Sequence, residues 1–506
     1  MGKAVKAGVL LLVVTTLVWL TTLWRWQTSP RDLSVNDVLL YLVALPLGLT
    51  LAFLLSVWAA ARLRSYAGRP PGAAAAAPSA ATAGSAAEAS AEAERQLGFA
   101  VLAAAAHTRG GADWAALAQA TSTAVPALDP ELRDEHGVAV FSARTDEAAQ
   151  ADVRAEIDAA IAALAQQPSG VPSDIQVPAV AWRMLALLRV ALARLSPALE
   201  QGLAEEAARR AASAPGAAPV ASLREFQARV AVPARWPEAL QAVLAQWLRE
   251  RIEAAMPAGS TVAAAALPLN VHVHPVASAE EFWHLSEQQM VQWHRDEVRG
   301  LLLVLAADSL LGPAEIGELA AAGGLFSGER VNGRIPGEAA AGLLLASTAW
   351  VAEAGGEAGK VAPLARLHRA SQRQRDKSAD AAGRASGATA QQALEDALAA
   401  SATPAAEVGA LASDADHRSS RSAEVFETLQ TALPHLDNST ELLRAAVACG
   451  DVGVARLLLI TALAITKTQE AAAPVAVIGV DPAHARFAAI VRPPAKLPAT
   501  ASTSAA

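Results

Sequence analysis

Asp414, Asp416, His417, Arg418 and Arg421 form the densest cluster of ionisable side chains in the sequence. A carboxylate beside an imidazole can pass a proton near neutral pH. A carboxylate beside a guanidinium instead forms an ion pair with a structural role. The cluster therefore reads either as a salt-bridged loop or as a pocket facing a ligand or a partner. Three more carboxylates stand where a site could be built. Asp308 ends an apolar run, Glu338 follows Gly337, and Asp451 follows Gly450. Cys449, the only cysteine, precedes Asp451 by two residues. A single thiol excludes an internal disulfide framework and a cysteine-ligated zinc site. Cys449 reads as a small buried side chain.

His272 and His274 are two apart, so they share one face of a strand. That spacing suits a metal, but no carboxylate or third ligand is placed with them, and no metal is expected. No cofactor is expected either. Trp283-His284 and Trp293-His294 recur after ten residues on an expected helix, which places them on one face at an interdomain seam. The formal charge of −8, from 41 Lys and Arg against 49 Asp and Glu, gives no reason to expect nucleic acid as a partner.

Two uncharged runs come first in the 506-residue chain, 7–24 and 38–61. Each can cross a hydrocarbon core roughly 30 Å thick at about 1.5 Å per helical residue. In lipid the backbone must satisfy itself, so both are expected as helices, the second kinked at Pro46. Trp19, Trp24, Trp26, Tyr41 and Trp58 lie near the run ends, where aromatic rings prefer the interface. A cleaved signal peptide is disfavoured, because Leu23, Trp24, Arg25 and Trp26 stand where small residues would be needed. Residues 1–65 thus read as a transmembrane hairpin. Lys3 and Lys6 before it, and Arg62, Arg64 and Arg69 after it, favour both termini and the large domain on the cytoplasmic side of a bacterial inner membrane.

Residues 66–96 are Ala, Pro, Gly, Ser and Glu with almost no large apolar side chain, the composition of a flexible tether. Looser stretches are expected at 204–220 and 371–406, and a disordered tail at 496–506. Between them, apolar runs predict strands over 98–106, 137–144, 228–233, 261–274, 300–307, 340–347, 362–368, 475–480 and 486–492. Helical patterns cover 152–166, 180–199, 237–255, 279–297, 313–322, 422–432 and 440–465. Such alternation predicts an α/β layered domain over 97–495. Its size suits a duplicated unit.

The segment 299–347 carries a resemblance. A buried strand ends at Asp308, and the turn Asn332-Gly333-Arg334-Ile335-Pro336-Gly337-Glu338 leads into the next strand. This resembles the middle of a β-ketoacyl synthase or thiolase, with its glycine-rich "dGfvlGdGag" turn. Glycine suits a tight reversal beside a packed core, where φ is positive or a Cβ has no room. Residues 414–424 fall where these enzymes have "NaHGTGT…nD", and 448–457 where they have "GHtgaAsG". The closing strand pair, 475–480 and 486–492, is also similar. The likeness covers roughly 97–495 and implies a thiolase-like, duplicated αβαβα layered domain. It also implies a homodimer, formed through a strand and helix near the nucleophile.

The departures from that pattern bear on function. The resemblance places a cysteine nucleophile near Ser278 to Glu281, where the sequence has Ser278-Ala279-Glu280-Glu281. Its two histidine positions fall on Asp416 and Asp451. An ionised carboxylate cannot donate to an oxyanion. The expectation is a non-catalytic, thiolase-like scaffold tethered to the inner membrane, resembling accessory proteins of bacterial type VI secretion clusters. The alternative is a membrane-bound enzyme for acyl chains or lipid precursors, with a site rebuilt around Asp308, Glu338, Asp416, His417 and Asp451.

Overall fold

The computed structural model describes residues 92, 94–124, 126–145, 150–167, 172, 174–212, 225–255, 269–354, 362–383 and 385–494. The chain divides into two units, Met1–Gly84 and Ser85–Ala506, and only the second contains described residues. The expected hairpin with its spans 7–24 and 38–61, most of the 66–96 tether and the 496–506 tail lie outside them. Among the described residues no helix is long and apolar enough to cross a membrane.

The first half of the second unit runs β1 (Gly98–Thr108), α1 (Trp114–Thr123), β2 (Ala127–Arg133), β3 (Ala139–Ser142), α2 (Gln150–Ala165), α3 (Ala179–Ala212), β4 (Glu225–Pro233), α4 (Glu238–Ala254), β5 (Leu269–Val276), α5 (Ala279–Arg295), β6 (Gly300–Ser309), α6 (Pro313–Ala321), β7 (Glu338–Ala346) and α7 (Thr348–Ala354). The second runs β8 (Ala365–His368), β9 (Ser371–Gln374), α8 (Ala388–Ala400), β10 (Ala410–Ser413), α9 (Ser419–Ala432), β11 (Leu442–Arg444), α10 (Ala445–Cys449), α11 (Arg456–Ala471), β12 (Val475–Gly479) and β13 (Ala485–Arg492).

The main sheet follows the path β11-β10-β12-β13-β8-β1-β7-β6-β4-β5, with β9 on β13 and a separate β2–β3 hairpin. The duplication is visible in this order. Each half places its main strands as first, fifth, fourth, second, third. In both halves the last two pairings are parallel and the first two antiparallel. The halves join where β1 meets β8, from Gly98↔His368 to Val101↔Ala365.

Apolar patterning fixes the layers. α5 and α11 lie between the two half-sheets, with Phe282, Trp283 and Leu457 packed against Phe99, Leu343, Val477 and Phe487. α11 is buried continuously from Leu457 to Ile465, as a helix enclosed on all sides must be. β6 is buried along its whole length, as expected of a strand covered on both faces. α2, α3 and α4 cover the outer face of the first half, and α8 and α9 that of the second. The result is five layers, α, β, α, β, α.

Several expectations need correction. Residues 371–406 are not loose, since they hold β9 and α8, whose Ala390, Ala393, Leu394 and Ala397 are core. The stretch 204–212 is helical, as the end of α3. The expected helix 440–465 is interrupted. β11 and α10 come first, Gly450 turns the chain at φ +69°, and α11 begins only at Arg456. Strands β2, β9, β10 and β11 were not expected. Trp283 does meet the other half, edge-on to Phe487 at 4.8 Å, whereas Trp293 stays in its own half and donates to Glu225 at 2.7 Å.

Candidate functional site

The C-terminal ends of the parallel strands converge on one cleft, the place where open α/β sheets bind ligands. Arg235 follows β4, Ser278 follows β5, Asp308 lies at the end of β6, and Asp481 follows β12. With Arg334, Asp451 and Arg456 they line a cleft of about 610 Å³.

The helix start at the expected nucleophile position is built for capping. Ser278 is the N-cap of α5 and its hydroxyl accepts from the Glu281 amide at 3.2 Å. Glu281 reaches back to the Ala277 amide, one residue before the N-cap, at 2.9 Å, a close variant of the capping box. Glu280 turns inward, 8% exposed, and its Oε2 accepts from Arg456. Its Oε1 is buried with no hydrogen-bond partner. Arg456 also donates to Asp414 at 2.9 Å, so one guanidinium bridges a carboxylate from each half.

The two expected histidine positions are ion-paired carboxylates. Asp416 accepts from the Arg418 amide at 3.0 Å and from Arg418 Nε at 2.7 Å. Asp451 accepts from Arg334 at 2.7 Å and from the Gly453 amide at 3.0 Å. Arg418 also donates to Asp481. Burial pushes the Asp481 carboxyl up, but Arg334, Arg418, Arg456 and Arg421 outweigh it and hold it at about 2.

Asp308 lines the cleft. It accepts from Arg235 at 2.6 Å and from the Val454 amide, in the other half, at 3.0 Å. Burial raises its carboxyl above the usual range despite Arg235. Gly453, with φ +52°, faces it, and a Cβ there would lie 1.9 Å from Asp308 Oδ2. Gly337 is needed for the same kind of reason, since its Cβ would lie 2.0 Å from the Cys449 carbonyl oxygen.

Glu338 and His417, also expected near a site, lie elsewhere. Glu338, the first residue of β7, is fully buried among Thr145, Arg183 and Ser309. His417 stands edge-on to Phe326 at 4.9 Å. The Cys449 thiol donates to the Ala445 carbonyl at 3.1 Å, and burial pushes it up to about 12. Such a thiol is not ionised near neutral pH and is a poor nucleophile. The hollow beside it, about 10 Å³, has room for roughly one water. Among the described residues no group of three or more possible ligands could hold a metal ion, and His274 packs on Phe282 at 5.9 Å.

The site yields a pH prediction. Burial, ahead of the opposing effect of Arg456, raises Asp414 from 3.8 to about 6. The folded state then holds a proton that the unfolded state has already lost. This contribution is fully present below about pH 3.8 and is lost as pH rises to about 6. Asp414→Asn should flatten that decline in urea midpoints measured from pH 4 to 7. An unchanged slope would place the titration elsewhere.

Arg235, Arg334, Arg456 and Asp481 were missed in the sequence. One signal could have found two of them, since Arg235 and Asp481 lie just past runs read as strands, at the carboxyl ends where sites form. Arg334 stood within the glycine-rich turn and Arg456 within a run read as one helix, and neither carried such a signal.

No protein-family model matches the sequence, and no curated protein matches it. Solved structures do match. An oxazolomycin ketosynthase domain from Streptomyces albus aligns with TM-score 0.50 at 13% identity, over 79% of this chain and 75% of its own. A ketosynthase from module 6 of the Bacillus subtilis bacillaene synthase aligns with TM-score 0.49 at 12% identity, over 78% and 72%. A β-ketoacyl synthase from Burkholderia phymatum gives TM-score 0.47 at 12% identity, over 78% and 99%. The first of these, with the duplicated strand order and five layers, gives this chain a thiolase-like ketosynthase fold.

Proposed function

We propose that this chain is a non-catalytic scaffold with a ketosynthase-like fold. One observation carries the reading. The helix start that would hold a nucleophile holds Glu280 instead, buried and paired with Arg456 across the two halves. A thiolate there would be activated by the helix dipole. A buried carboxylate paired with an arginine is instead part of a structural ion pair. The only thiol of the chain is the protonated Cys449.

In this reading the domain is held at the cytoplasmic face of the inner membrane by spans 7–24 and 38–61. Its partners are the bilayer, a second copy and secretion-system proteins. The outer edge of β5, the last strand of the sheet path, has no partner strand among the described residues, which supports pairing with a second copy, since an unpaired strand edge invites another strand.

The test is incubation of the full-length chain with acyl- and malonyl-thioesters. Intact-mass measurement should show no acyl adduct, and no thiol should be released above the rate without protein. An adduct or turnover overturns the reading. Capture of secretion components without turnover supports it.

A second reading is favoured by the cleft itself. It remains open at about 610 Å³ and is lined by Asp308, whose raised carboxyl could act as a proton donor or acceptor. That reading is an enzyme of acyl chains or lipid precursors that uses no cysteine. Turnover lost in Asp308→Asn, with no covalent adduct in the parent chain, would establish it.

A further inference from the structure

A cationic pair stands on the sheet where the two halves meet. Arg366 of β8 and Arg492 of β13 are directly opposite each other in an antiparallel pair. Like charges in that register repel and weaken the strand pairing. Among the described residues, neither has an ion-pair partner. Arg492 donates to the Ser401 carbonyl at 2.9 Å, and Arg366 makes no hydrogen bond. Glu94, on the segment that leads into β1, is held by Arg295 at 2.6 Å and Arg369 at 3.6 Å.

A third side chain faces the same place. His368 lies two residues beyond Arg366, on the same face of β8. It is 5% exposed, and neither ring nitrogen makes a well-formed hydrogen bond; the Gln96 backbone is the polar group beside it. Its register partner is Gly98. A Cβ on Gly98 would lie 3.0 Å from His368 Cε1 and 3.1 Å from Arg366 Nε, so the glycine lets both side chains lie across β1. Burial first, then Arg366 and Arg492, hold the imidazole at about 4 and therefore neutral near pH 7. A neutral ring carries one N–H to donate.

The exposed Arg366, the half-buried Arg492 and the buried His368 lie together at the β1–β8–β13 seam, and no carboxylate among the described residues pairs with either guanidinium. We propose that Arg366, Arg492 and His368 form a phosphate-binding site. Guanidinium forks match phosphate oxygens, and a tetrahedral anion presents its oxygens in several directions at once, whereas a carboxylate presents them in one plane. The phosphate could belong to a lipid headgroup or to a soluble compound. The site shares no residue with the cleft and does not depend on the scaffold reading.

The test uses the full-length chain in two arms. In the first, the thermal midpoint is followed against inorganic phosphate, with chloride at matched ionic strength as control. A ligand bound by the folded state alone raises the midpoint with the logarithm of one plus its concentration over Kd. The double variant Arg366→Ala, Arg492→Ala should need at least about tenfold more phosphate for the same rise. Without phosphate the variant loses the Arg492–Ser401 bond and sheds the like-charge contact, so the phosphate response of each chain is read against its own midpoint without phosphate. In the second arm, hydrogen exchange of residues 365–369 and 488–492 is compared with vesicles of phosphatidylcholine alone and with added phosphatidylglycerol. A phosphate response in the first arm assigns a soluble ligand. Protection by phosphatidylglycerol alone, lost in the variant, assigns a headgroup. Parent and variant behaving alike in both arms overturns the site.

Discussion

Replacing Arg456 with methionine should destabilise the domain by about 3–5 kcal/mol, the cost of leaving buried charges without their partner. The guanidinium is 8% exposed and holds Glu280 and Asp414, which are 10% and 2% exposed as side chains. Methionine fills much of the same volume, so the loss is one of charge compensation more than of packing. Glu280 already has one oxygen without a partner, and the substitution orphans the other. Asp414 keeps the Val480 amide but loses its cation. Urea midpoints at constant m-value measure the loss. Adding Glu280→Gln and Asp414→Asn to the variant should recover much of it, because neutral amides are cheaper to bury than charges. A single variant within about 0.5 kcal/mol of the parent would show that the bridge carries no such stabilisation.

The second large effect is expected at Glu338. Its Oε1 accepts from the Thr145 amide at 2.8 Å and the Thr145 hydroxyl at 2.7 Å. Its Oε2 accepts from Arg183 Nε at 2.7 Å and the Ser309 hydroxyl at 2.9 Å. The carboxylate thus ties α3, the segment after β3, and the ends of β6 and β7 into one knot. Burial pushes the carboxyl up, but Arg183 and Thr145 outweigh it and hold it below the usual glutamate value. Glu338→Ala removes the common acceptor and should cost about 3–5 kcal/mol by urea unfolding at neutral pH. The sign with pH follows from the lowered carboxyl. The native contribution is present above about 4.5 and fades as pH falls through the folded value. The gap between parent and variant should therefore shrink in acid. A gap that stays constant down to pH 3 would mean that the loss comes from packing alone.

These two carboxylates show how far the sequence could be read. Glu338 was visible because a glycine turn and an apolar strand frame it, and that framing also suggested the fold. Its role was not visible, because Thr145 and Arg183 reach it only through the tertiary structure. β6 was legible from unbroken Leu and Val. β10, Ala-Leu-Ala-Ser, was not, since alanine has little strand preference and only burial among α9, α11 and β12 makes it a strand. α8 was hidden for a related reason. Its alanines form a core face, but they follow a polar stretch that read as a loop. Arg456 fell inside a pattern that read as one continuous helix, so the break at Gly450 and the charge at the true helix start went unseen.

The seam between the halves also bears on how the chain is made. Among the described residues β1 pairs with β7 and β8 and with no earlier strand, so Thr108 meets its partner Ala339 only after some 230 further residues. At ribosomal rates of about 5–20 residues per second, that is a wait of roughly ten to fifty seconds. For that interval an eleven-residue, alanine-rich strand has no neighbour to pair with. The rate of reaching the native state should then be set by this long-range closure, as in other topologies of high contact order, and the newly made chain would depend on whatever shields β1 until β7 emerges.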